Sequence, residues 1–112
     1  MAEPQLTQYI FVPKHPKMSS GKIASQVAKV SWLGLDKTPR SIVEDWRDNH
    51  GMQTIVLEVN DQIDLHNVCK YLEQEHIVFV SYNDEGYTEV PAGTMTAVAT
   101  AIIDKEKEGW RD

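Results

Sequence analysis

Three short runs rich in β-branched and aromatic residues, Gln8–Val12 (QYIFV), Thr54–Val59 (TIVLEV) and Ile77–Tyr82 (IVFVSY), are separated by stretches whose apolar residues recur at helical spacing. This alternation constrains the fold more than any other feature, because strands joined by helical crossovers form a sheet with helices packed on its faces. A fourth strand is expected within Met95–Ile103 (MTAVATAII), separated from the third by the turn cluster NDEG and a polar loop. Two strands that arrive with no helix between them pair antiparallel. The pattern predicts one α/β domain over residues 1–112, with three α-β-α layers around a mixed four-stranded sheet. Thr54–Val59 carries a single acid and is expected at the centre of the sheet rather than at its edge.

The helical stretches carry their own punctuation. From Gly21 to about Leu33, Ile23, Val27 and Val30 form one apolar stripe, and Gly34 is expected to end the helix. Thr38-Pro39 reads as an N-cap followed by proline at the first helical position; Ile42, Val43 and Trp46 supply the buried side and Gly51 the stop. Asp61 and Asp64 load the start of a third helix, whose core side is Leu65, Val68, Cys69 and Leu72. Trp32 and Trp46 both fit helix faces turned toward a core, and the charged tail after Ile103 is open to helix formation.

Charge narrows the function classes. The formal net charge is -6, which excludes nucleic-acid binding by bulk charge alone. Its distribution is uneven: residues 1–40 hold six Lys/Arg against two acids, and residues 41–112 hold five against fifteen. An anionic ligand is expected to meet the N-terminal part. No apolar run approaches the roughly 20 residues that cross a bilayer, and the single cysteine, Cys69, has no internal disulfide partner and is expected to be a buried structural thiol. A cytoplasmic, reducing setting is expected. His15, His50, His66 and His76 lack metal-ligand spacing and no phosphate-binding glycine loop is present, so neither a metal nor a nucleotide cofactor is expected.

Two segments could carry chemistry. In Lys17–Gln26 (KMSSGKIASQ), Lys22, Gln26 and Lys29 share a polar stripe distinct from the apolar one. A lysine in the first turn works against the helix dipole unless an anion or a developing oxyanion is bound there; otherwise it is a solvated surface residue. In Tyr82–Val98 (YNDEGYTEVPAGTMTAV), carboxylates, hydroxyls and glycines cluster where a strand ends, as in a sheet-edge site or a plain hairpin loop.

Together, KMSSGKIASQVAKV and DEGYTEVPAGTMTAVA resemble the type II peptidyl-tRNA hydrolase family, and WRDNHGMQTIVLEVND is similar to the segment between its two signatures. The resemblance implies hydrolysis of the ester between a peptide and the 3′-terminal ribose of tRNA, without a cofactor, and is compatible with a homodimer. It places the family's functional lysine, glutamine, aspartate and threonines on Lys22, Gln26, Asp84, Thr88 and Thr96, with Gly93 in the second signature beside the substrate. On this reading Asp84 orients or deprotonates a water, while Lys22 and the helix amides stabilise the oxyanion. By charge rather than by resemblance, Lys17 and Lys29 are candidates for contact with the tRNA phosphates; otherwise they are solvated surface lysines. Tyr87 either stacks on the terminal base or packs over its own hairpin.

The chain departs from the family pattern at Tyr87 (usually arginine), Glu89 (glutamine), Lys29 (histidine) and Glu85 (alanine). Losing a cation and gaining two acids weakens phosphate attraction beside the site. The alternative is therefore a catalytically weak or inactive relative that binds tRNA or protein.

Overall fold

The computed structural model describes residues 5–87 and 89–110. In chain order its elements are β1 (Leu6–Pro13), α1 (Ser20–Asp36), α2 (Arg40–Asn49), β2 (Thr54–Val59), α3 (Gln62–Gln74), β3 (Phe79–Asn83), β4 (Met95–Thr100) and β5 (Ile103–Asp104). The main strands lie in the order β2-β1-β4-β3, and the two-residue β5 pairs with the start of β1. β1 runs parallel to β2 and antiparallel to β4, and β3 and β4 are antiparallel as their adjacency in sequence implies. The mixed sheet expected from the sequence is present, with β5 as a small addition.

Side-chain alternation along β1 creates two cores. Ile10 and Val12 join Val30, Ala97 and Ala99 beneath α1, where Ile23 and Val27 also pack. Phe11 points the other way, toward Leu65, Leu72 and Val98 beneath α3. The apolar stripes read from the sequence thus settle on opposite faces of the sheet. Cys69 lies on the α3 side but is only half-buried.

Several expectations are corrected. β2 is an edge strand paired only with β1, and its Val56 and Leu57 are 48% and 42% exposed. An apolar run shows that a strand is hydrophobic, not how many neighbours it has. Gly34 does not end α1, which continues to Asp36. It lies where a Cβ would come 2.6 Å from both Gln8 Nε2 and the Thr100 carbonyl oxygen, so it permits close approach of helix and sheet. Thr38 makes no cap for α2: its hydroxyl donates to the Gly34 carbonyl at 2.9 Å and accepts from the Ile102 amide at 3.0 Å, tying the end of α1 to the corner after β4.

Trp46 is buried as expected, with its indole N–H donating to the Gln53 carbonyl at 2.9 Å, and Gly51 takes the left-handed conformation after α2. Trp32 is instead 65% exposed. The tail forms a turn rather than a helix and brings Trp110 edge-on to Tyr9, with ring centroids 4.6 Å apart.

Gly34→Ala has no cheap relaxation, because one of the two close atoms is a backbone carbonyl. It is expected to destabilise the fold by about 1–3 kcal/mol, read as a lower midpoint in urea unfolding.

Candidate active site

Asp84 sits just beyond the end of β3, and α1 begins on the adjacent face of the sheet. The two meet at a short ion pair, Lys22 Nζ to Asp84 Oδ1 at 2.6 Å, with side chains only 12% and 6% exposed. Gln26, one turn after Lys22, donates from Nε2 to the same carboxylate oxygen at 3.0 Å. Its own Oε1 accepts from the Thr96 hydroxyl at 3.1 Å, linking α1 through the carboxylate to β4. The Gly86 amide donates to Asp84 Oδ2 at 2.7 Å. The Lys22 ammonium, then the Gly86 amide, hold the Asp84 carboxyl below the usual carboxylate range.

The loop after β3 owes its shape to its glycines. Gly86 and Gly93 both adopt the left-handed region, and a Cβ on Gly86 would come 2.7 Å from the Ala92 amide nitrogen. Asp84 and the far end of the loop exchange backbone hydrogen bonds, Asp84 N–H to Thr94 O and Gly93 N–H to Asp84 O, each 2.8 Å. Gly93 therefore closes the loop. Tyr87 at its tip is 85% exposed and does not fold back onto the hairpin.

A second carboxylate acts at the same helix end. Ser19 caps α1 by accepting from the Lys22 amide at 3.2 Å, and both its amide and its hydroxyl donate to Glu89, each at 2.6 Å. These bonds, the hydroxyl's first, lower the Glu89 pKa. In the sequence Glu89 stands out only as an extra acid beside the second signature. The available signal was a serine before a helix whose first turn contains no acid, leaving amides to be satisfied from elsewhere.

Lys22, Ser25, Lys29, Tyr82, Asp84 and Tyr87 line a cleft of about 360 Å³, with Glu85 at the same opening. Lys29 Nζ lies 5.3 Å from the centroid of the Tyr82 ring, a cation–π contact that restrains it. Of the residues singled out from sequence, Lys22, Gln26, Lys29, Asp84, Tyr87 and Thr96 are gathered in or immediately behind this cleft. Lys17 is exposed and is not among the lining residues; Thr88 falls outside the described residues. Burial pushes the Cys69 thiol pKa up, which makes it a poor nucleophile. A larger groove of about 780 Å³ lies on the α3 side among Tyr9, Phe11, Leu57, Val68, Tyr71 and Trp110, but it has no cation in its lining. Among the described residues, no group of three or more His, Cys, Asp or Glu is placed to hold a metal ion.

Residues 6–107 match the family model described as peptidyl-tRNA hydrolase PTH2. The chain is 33% identical over 101 residues to a peptidyl-tRNA hydrolase of Thermoplasma acidophilum, covering 88% of this chain and 86% of the relative. It is 34% identical over 103 residues to one from Methanococcus maripaludis, covering 89% and 88%. With one from Methanothermobacter thermautotrophicus the identity is 28% over 102 residues, covering 91% and 90%. The chain belongs to the peptidyl-tRNA hydrolase PTH2 family of enzymes.

Asp84 and Glu89 both have depressed pKa values in the fold. Their stabilising contribution is complete above the ordinary carboxylate range and is lost as pH falls through the folded-state values. Glu89→Gln is expected to flatten part of this acid-side loss. Chemical denaturation of both proteins, from neutral pH to below the ordinary carboxylate range, measures the difference.

Proposed function

We propose that the protein hydrolyses the ester joining a peptide to the 3′-terminal ribose of tRNA, at the cleft between the start of α1 and the loop after β3. Membership of the family supports the reaction. The observation that carries the assignment to this cleft is the partly buried 2.6 Å pair between Lys22 and Asp84 at its floor. Water adds to the ester carbonyl, the carbonyl oxygen takes up negative charge, and the bond to the ribose oxygen then breaks as that oxygen gains a proton. Lys22 supplies a fixed positive charge for the oxyanion.

Asp84 is suited to orienting rather than to deprotonation. A carboxylate with a lowered pKa and three donors already on it is a weak base. Its part is to aim Lys22 and accept one further hydrogen bond, from the attacking water. Gln26 and Thr96 are fully buried and serve by fixing Asp84, while Gly93 serves by closing the loop. Thr88, next to Tyr87, positions water or substrate. Lys17 and Lys29 attract phosphate, and exposed Tyr87 offers a face to the terminal base. A cytoplasmic setting suits a substrate that ribosomes produce.

One observation favours a slower enzyme. Glu89 already occupies the Ser19 amide and hydroxyl and brings negative charge beside the pair, opposing an incoming phosphate.

Release of free peptide and tRNA from purified peptidyl-tRNA tests the assignment directly. Lys22→Ala is expected to lower kcat by roughly 10² to 10³, the effect of losing one oxyanion donor. Unchanged turnover removes Lys22 from the mechanism, and absence of hydrolysis by the wild type removes the reaction.

A further inference from the structure

Trp32 is a large aromatic side chain left in solvent on a helix whose apolar stripe is otherwise packed against the sheet. Ser25, Lys29, Trp32 and Asp36 recur at spacings of four, three and four along α1, so they share one outward stripe. The end of the stripe nearer the helix start opens into the cleft that holds Lys22. The other end opens onto a shallow depression of about 330 Å³ shared by Trp32, Leu35, Thr38, Arg40 and Val43. The stripe therefore runs without a break from the candidate active site to the start of α2.

Its charge fits an anionic strand. Of the six Lys/Arg in residues 1–40, Lys22 and Lys29 line the cleft at one end of the stripe and Arg40 lines the depression at the other. Lys22 is already paired with Asp84, Glu85 stands at the cleft opening and Asp36 lies on the stripe, and Glu44, 3.5 Å from the exposed Arg40, offsets part of the remaining field. An exposed pair of that kind is weak and gives way to a phosphate at small cost.

We infer that this stripe is the track for the RNA portion of the substrate, and that Trp32 stacks on the base where the unpaired 3′ end meets the paired stem. The inference rests on the reading of the chain as an enzyme acting on peptidyl-tRNA. Lys22 and Trp32 are ten residues apart on one helix, a rise of about 15 Å. A stacked strand advances about 3.4 Å per nucleotide, so Trp32 stands roughly four nucleotides from the ester. Inside a duplex the faces of the bases are covered. An indole reaches a π-face only on an unpaired base or at the open end of the stem, which is where this distance puts it.

The test compares two substrates: intact peptidyl-tRNA and an N-acylaminoacyl ester of adenosine, which keeps the scissile bond and lacks the stem. Trp32→Ala and Trp32→Leu are each expected to lose on the order of tenfold more kcat/KM on the tRNA than on the adenosine ester, the scale of one stacked base. Trp32→Phe is expected to retain most of the wild-type difference. Equal losses on both substrates, or recovery by leucine as good as by phenylalanine, overturn the inference, since they denote packing or a protein contact rather than stacking. Should Trp32→Ala fail to fold, the leucine and phenylalanine variants alone decide. Wild-type protein that hydrolyses neither substrate refutes the assigned reaction itself, and the RNA track with it.

Discussion

The largely enclosed ion pair between Lys22 and Asp84 organises its surroundings because a carboxylate held away from water must have its lone pairs satisfied. Here they are satisfied by groups from three different places: the first turns of α1, the backbone of the loop after β3, and, through Gln26, a threonine on β4. Each bond fixes one element against another. The loop cannot drift from the helix without exposing the acid, and the helix cannot rotate without withdrawing both Lys22 and Gln26. The geometry is therefore fixed by the protein's own groups, which is the preorganisation that the electrostatic role proposed for Lys22 requires.

The fold brings these groups together through β1. Placed between β2 and β4, it presents Ile10 and Val12 to α1 and Phe11 to the opposite core. Gly34 lets the far end of α1 approach the sheet closely, while Ser19 and Glu89 tie down its near end. The helix that carries Lys22 is thus fastened at both ends.

Periodicity and punctuation made much of this legible in advance. The apolar stripes, the strands and the meeting of two distant polar segments could be read because residue spacing dictates which side chains share a face. What could not be read depended on neighbours. Whether Thr54–Val59 has one partner strand or two is decided elsewhere in the chain. Gly34 and a helix-ending glycine look alike in sequence, since both readings rest on the lack of a side chain. Thr38 resembles a cap for α2 but bonds backward to α1 and across to Ile102. Trp32 has the spacing of a core residue but lies in solvent, and only the packed structure shows which face α1 leaves open. Glu89 acquires its role from Ser19, seventy positions earlier.

The central position of β1 also has a temporal consequence. Its register partners are Thr54 to Val59 on one side and Val98 and Ala99 on the other, so β1 is made before both of its long partners and is fully paired only after β4 has been made. Pairings of such long sequence separation are slow to form and leave apolar strand surface uncovered in the meantime. During synthesis the nascent chain must hold an unfinished sheet until β4 has emerged.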